Sequence, residues 1–223
     1  NEAAHGRKLV AEWPANRASG AESGACDMRR ANRTAHRRPI RGKAVAFSTA
    51  FDGREQAIID LVTATFTASE GAGEGALIGE LVRNLLGGTA PADRLVVTAE
   101  EGGEIVGAAV FSRLTFAADD RDVFILAPLA VATDRQGEGI GRGLVAHGLT
   151  ALRAAGVDVA LTYGDPAYYA KVGFAPITEA FARPPFTLNH PEGWLAQALA
   201  AREMTPLEGP SRCVEALNDP AFW

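Results

Sequence analysis

Three glycines, at 137, 139 and 141 in the stretch TDRQGEGIGRGL, stand between an apolar run and a helical repeat. Glycine inside a helix costs about 1 kcal/mol relative to alanine, so this much bare backbone needs a reason. The first N–H groups of a helix lack intrahelical partners, and the helix dipole favours negative charge there. A glycine-rich turn opening a helix can therefore hold a phosphate against the main chain. Gln136 and Arg142 can add donors at the rim. The run has no Gly-Lys-Ser/Thr, as a nucleotide-triphosphate loop requires, and lacks the Gly-x-Gly-x-x-Gly spacing of dinucleotide binders. The competing reading is a close-packed strand-to-helix turn with no ligand.

The elements that must position this turn are legible from residue 44 onward. KAVAFSTAF suits a first strand, and GREQAIIDLVTATF repeats Ile58, Leu61, Val62 and Phe66 at helical spacing. SEGAGEG reads as a loop, and ALIGELVRNLL as a second helix ended by Gly87 and Gly88. Two strands joined at Gly102-Gly103 form a hairpin signal. The run VFILAPLAVA, 123–132, is a strand buried on both faces. Its Pro128 cannot donate to a ladder, so the strand should bulge or part from a neighbour there.

Past the glycines, Ile140, Leu144, Val145, Leu149 and Leu152 share a helix face that Gly156 closes. VDVALTY is a further strand. A short helix follows, with Asp165 as N-cap, Pro166 first and Gly173 past its end. FAPITEAF can be a strand, and the proline-broken segment after it is open between strand and helix. The fold class is α+β with a mixed sheet.

LAPLAVATDRQGEGIGRGLV resembles the acetyl-CoA motif of the GNAT acetyltransferase superfamily, Gln/Arg-x-x-Gly-x-Gly/Ala, read here as Gln136, Gly139 and Gly141. GDPAYYAKVGF, some thirty residues on, is similar to the family's second signature, a short helix ending in Tyr-x-x-x-Gly-Phe. The pair is most like small bacterial GNAT enzymes carrying LAV, QGxGIG and GDPxYYxxxGF. The resemblance spans about 44–180 in element order, and the tail from about 181 matches only loosely.

The resemblance implies a mostly antiparallel, twisted sheet that splays at the acetyl-CoA site, flanked by helices. It implies that the coenzyme's pyrophosphate rests on the turn formed by Gln136, Gly137, Glu138, Gly139, Ile140, Gly141 and Arg142. The pantetheine arm would run along Leu129, Ala130 and Val131, and a main-chain N–H near Val131 would receive the oxyanion. Tyr169, four residues before Gly173, is where family members carry the phenol that protonates the leaving thiolate. Tyr168 lies about 100° around the helix and reads as the packing residue.

The implied activity is acetyl transfer from acetyl-CoA to an amine, on a small molecule or a protein, by direct attack. The alternative is a coenzyme-A-binding regulatory module that transfers nothing. Asp122 is a candidate base but reads as a solvated charge, His147 as half-buried packing, and Asp165 as a cap. The histidines and cysteines make no ligand spacing, so no metal is expected.

Composition sets the outer limits. An apolar share of 47% in 223 residues suits one domain with extensions. Residues 1–43 carry ten Lys/Arg against four Asp/Glu, and residues 44–223 twelve against twenty-three, which together give the net charge of −5. The basic arm has few large apolar residues and reads as a disordered extension rather than a nucleic-acid grip. The ten-residue apolar run is too short for a bilayer and no leader is visible, so a cytoplasmic protein, monomer or homodimer, without nucleic-acid or membrane partners is expected. Cys26 and Cys213 read as lone thiols.

Overall fold

The computed structural model describes residues 44–200 and 204–223, so the basic arm, with Cys26, His5 and His36, lies outside it. Strand β1 is Ala46–Ser48, helix α1 Glu55–Glu70 and helix α2 Ala72–Gly88. The expected loop between the helices shrinks to Gly71, at φ 99°. The reason is tertiary. A β-carbon at Gly75 would stand 1.9 Å from the Thr67 hydroxyl, and one at Gly79 2.2 Å from that of Thr63. Gly75, which looks like loop in the sequence, and Gly79 let α2 close onto α1.

The next three strands are β2 (Arg94–Glu101), β3 (Glu104–Phe116) and β4 (Asp119–Val131). Gly102 and Gly103, both at positive φ, make the tight turn between β2 and β3. Helix α3 is Ile140–Ala154, β5 Val159–Tyr163 and α4 Pro166–Tyr169. Strands β6 (Ala175–Pro176), β7 (Trp194–Ala198) and β8 (Ser211–Cys213) complete the chain. FAPITEAF supplies only the two-residue β6, and the proline-broken segment resolves into β7. The sheet order is β1-β2-β3-β4-β5-β7-β6, with β8 extending it along the end of β3. Among the described residues only β4 and β5 run parallel; the α+β, mixed-sheet expectation holds.

Alternation along the strands sends side chains to two layers. Val110, Leu114, Val123, Ile125, Leu161 and Trp194 pack under α1 and α2. Phe111, Phe124, Leu126, Leu129, Ala160 and Leu195 pack under α3 and α4. Burying each large side chain contributes about 1.5–3 kcal/mol, enough for the two layers to hold the sheet. Gly148 lets α3 sit on the Phe111 ring, which a β-carbon would meet at 2.3 Å.

The tail is built into this body. Leu207, Leu217, Phe222 and Trp223 are buried in the α1/α2 layer, and Trp223 Nε1 donates to the Leu217 carbonyl at 3.0 Å. Asp119 fastens it further, accepting from Arg121 Nε at 2.8 Å and from the Glu208 N–H at 3.1 Å. Arg121 reaches the Thr205 and Pro206 carbonyls. The Arg121 hydrogen bond holds the Asp119 carboxyl at about 2, below its ordinary value. Because the folded value is depressed, this stabilisation is full above the unfolded pKa near 4 and is lost as pH falls toward 2. Asp119→Asn should therefore cost about 1 to 2 kcal/mol at neutral pH, after allowance for solvent screening, and flatten that acid limb. Urea melts of both proteins between pH 7 and pH 2 check it; parallel pH profiles would contradict it.

Candidate active site

The decisive feature is where β4 loses its neighbour. Parallel pairing with β5 runs from Val123↔Val159 to Leu126↔Thr162 and stops, while β4 continues five residues to Val131. On its other side β4 stays paired with β3, but opposite Val110 the register slips: Ala109 faces Leu129 and Phe111 faces Leu126. One extra residue is accommodated at Ala127-Pro128, where proline has no N–H to offer. Both outcomes expected of Pro128 occur, a bulge on one side and a parting on the other.

The bulge also settles which groups face the cleft. The Ala132 N–H donates to the Val106 carbonyl at 2.9 Å, so by alternation Ala130 bonds to β3 as well. Leu129 and Val131 direct their N–H and C=O groups to the vacated side. Gln136 Nε2 donates to the Val131 carbonyl at 3.2 Å. The side chain expected at the rim thus braces the strand end, leaving the N–H groups of Leu129 and Val131 without a strand partner.

At the end of β4 a 3-10 turn, Thr133–Arg135, leads through the glycines into α3. Gly137 and Gly139 have φ of 89° and 84°, a left-handed backbone that other residues adopt at a cost. Gly139 is the N-cap, with no side-chain cap over the first N–H groups of α3. Gly141 lies against the other wall of the site. A β-carbon there would first meet the Tyr168 hydroxyl, at 2.4 Å.

Arg135 ties up two carboxylates beside the turn. Arg135 donates to Glu138 at 2.8 Å and is ion-paired with Glu101, and its hydrogen bond keeps the Glu138 carboxyl below its ordinary pKa. Beyond the turn, a cavity of about 610 Å³ beside α3 is lined by Arg142, Arg153 and Lys171, with Glu138 at its edge. Arg135 escaped the sequence reading because its partner Glu101 is thirty-four residues away.

The short helix α4 brings the two tyrosines to the opposite wall. The Asp165 carboxylate caps it, accepting from the Ala167 N–H at 2.8 Å, and Gly173 ends the following 3-10 turn at φ 95°. Tyr169, not Tyr168, is the residue set in the core. Its ring is fully buried, edge-on to Phe174 at 5.6 Å and to Tyr168 at 5.1 Å. Tyr168 is half-buried, its hydroxyl over Gly141 at the start of α3. Burial pushes the Tyr168 phenol up to about 12, with Arg142 pulling the other way.

The Tyr169 hydroxyl is buried with no well-aligned hydrogen bond. Burial holds its pKa above the ordinary value, and Thr162 is the polar side chain that lowers it. Thr162 is the β5 residue of the last β4–β5 pair, so the phenol stands at the apex of the cleft. Thr162 has no motif to mark it and was not anticipated.

The remaining candidates lie elsewhere. Asp122 is ion-paired with Arg113 near the start of β4, well away from the cleft. His147 is exposed on α3 and stacks with Phe47 at 6.1 Å, rather than being half-buried. His190 pairs with Glu192 at 3.2 Å. Cys213, half-buried on β8, has its thiol pushed up to about 11 by burial, the opposite of an activated nucleophile. Among the described residues no three His, Cys, Asp or Glu side chains form a group able to hold a metal ion, and no helix is long and apolar enough to cross a membrane.

A strand parts from its parallel neighbour and feeds a glycine-opened helix, and comparison with known proteins identifies the family that shares this framework. The family profile described as Acetyltransferase (GNAT) family matches residues 56–174. This chain belongs to that family. It is 35% identical over 141 residues to the Uncharacterized N-acetyltransferase YjhQ of Escherichia coli K12, covering 61% of this chain and 77% of that protein. The solved structure of YhbS from Escherichia coli, in complex with CoA, matches with a TM-score of 0.64 and 24% identity, over 82% of this chain and 96% of that one. A GNAT family acetyltransferase from Brucella melitensis, in complex with acetyl-CoA, gives a TM-score of 0.62 at 24% identity, over 78% and 98%. At these identities the two structures speak to the fold.

Proposed function

We propose that this protein transfers the acetyl group of acetyl-CoA directly to an amine in the cleft between β4 and β5. The observation that carries the reading is the end of β4–β5 pairing at Leu126↔Thr162 with the unpartnered Tyr169 hydroxyl beside it. An extended, amide-bearing pantetheine arm fits the vacated edge, pairing with Leu129 and Val131 as a strand would. The pyrophosphate then falls on the N–H groups of the turn 136–142. Arg142, Arg153 and Lys171 offer charge to the remaining phosphate of the nucleotide end. That the YhbS and Brucella structures hold CoA and acetyl-CoA supports this choice of ligand.

The chemistry follows from those positions. A neutral amine attacks the thioester carbonyl, and the oxyanion takes one N–H freed on β4, near Val131, while the remaining groups of that edge hold the pantetheine; such a donor contributes on the order of 3 kcal/mol. Collapse expels the thiolate, which accepts the Tyr169 proton. Burial raises the phenol's pKa, and it raises the thiol's too, because both charges are penalised in the same dry pocket. Proton transfer therefore stays nearly balanced. Direct attack suits the placement of Cys213, which pairs across from Leu114 at the far end of β3.

Tyr168 takes a second role in this reading. Its hydroxyl over Gly141 can donate to the pyrophosphate. Tyr168→Phe should weaken acetyl-CoA binding roughly 3- to 10-fold, one hydrogen bond's worth, and leave kcat within about two-fold. Isothermal titration and steady-state kinetics check this; a large fall in kcat at unchanged affinity would move the proton-donor role to Tyr168. The reading as a whole is tested by thiol release from acetyl-CoA across a panel of aliphatic amines, polyamines, aminoglycosides and peptides.

A further inference from the structure

The reaction as proposed leaves a phenolate in a dry pocket, and an isolated buried charge is too costly to be left without a donor. The structure provides one group for it. Thr162 is fully buried, and alternation along β5 turns it to the same layer as Tyr169, since Ala160 belongs to that layer and Leu161 and Tyr163 to the other. Its hydroxyl donates to the Leu126 carbonyl at 3.1 Å, closing the last pair before the strands part. A hydroxyl that donates in one direction keeps two lone pairs, and it can rotate to donate in another. The Tyr169 hydroxyl makes no well-aligned hydrogen bond in the resting protein, and Thr162 is the side-chain hydroxyl that acts on it.

We propose that Thr162 is a positioning residue for the phenol at the apex of the cleft, a role that rests on Tyr169 being the proton donor. Before the reaction, Thr162 Oγ1 donates to Leu126 and presents its lone pairs to the Tyr169 O–H. As the C–S bond breaks, the phenol O–H bond breaks and an S–H bond forms, leaving charge on the phenol oxygen. The Thr162 hydroxyl then turns from the Leu126 carbonyl to that oxygen. The proton shed by the acylated nitrogen returns to the phenolate through solvent, so the cycle closes with no net change at Tyr169.

The test is a double-mutant cycle on Thr162→Val and Tyr169→Phe, read by thiol release from acetyl-CoA with the panel amine of highest turnover. Thr162→Val alone should lower kcat about 10-fold or more with little change in the acetyl-CoA KM. Thr162→Ser, which keeps the hydroxyl, should stay within about three-fold of the parent. In the Tyr169→Phe background, Thr162→Val should change kcat by less than about two-fold, because the group it serves is gone. An equal fall in both backgrounds would overturn the proposal and make Thr162 a structural residue of the strand pair. So would parental kcat in Thr162→Val. Should that variant fail to fold, Thr162→Ala is read by the same cycle. Parental kcat in Tyr169→Phe alone would remove the proton-donor reading itself, a different result from additivity in the cycle.

Discussion

Tyr169→Phe is expected to lower kcat by about 10²-fold, the usual scale for losing a general acid, with acetyl-CoA affinity almost unchanged. The ring keeps its contacts with Phe174 and Tyr168, so the loss is confined to one oxygen. That oxygen is buried and lacks a well-made hydrogen bond, and removing such a group does not destabilise as removal of a bonded one does. The variant should therefore melt at or slightly above the parent's temperature. Lower kcat joined to undiminished Tm separates a role in the reaction from a role in packing. A variant that loses both together would return Tyr169 to the core and leave water as the proton donor.

Gly139→Val is expected to weaken acetyl-CoA binding by about 10- to 100-fold, 1.4–2.7 kcal/mol. Gly139 sits at φ 84°, where a β-branched residue is strained, so the N–H groups that follow must shift. A β-carbon there would meet only the end of Arg142, at 3.4 Å, so the core is untouched. Gly156, at the other end of α3, provides the control. It has the same φ of 84° and nothing within 4 Å of a β-carbon. Gly156→Val should share the backbone strain and the modest loss of Tm while keeping parental affinity in calorimetric titration. Equal affinities in the two variants would remove the turn from the binding site.

Much of this arrangement was legible in the sequence because its causes are local. Gly102-Gly103, Gly139, Gly156 and Gly173 all take positive φ, and each was read from its place at a turn or helix end. Pro128 signalled a bulge or a parting, since a missing N–H is a property of the residue itself, and the strand shows both. What was misread depends on distant partners. Gly75 of α2 looks like loop until Thr67 of α1 is placed against it. The order of burial of Tyr168 and Tyr169 is set by which layer α4 packs into, with Tyr169 against Phe174 and Tyr168 over Gly141, which helix periodicity alone does not contain. Thr162 has no spacing to distinguish it; its importance comes from being the last residue β5 shares with β4.

The central claim, that the β4–β5 cleft moves an acetyl group, is tested most directly by product analysis of the amine panel incubated with acetyl-CoA. Thiol release and acetylated amine are measured in the same reactions, with parent and Tyr169→Phe side by side. The account predicts one or more amines acetylated on nitrogen in equal amount to the thiol released, and formation roughly 10²-fold slower in the variant. Tight binding of acetyl-CoA with no acetylated amine from any member of the panel would contradict it and make the protein a coenzyme-A-binding module that keeps the fold without the transfer.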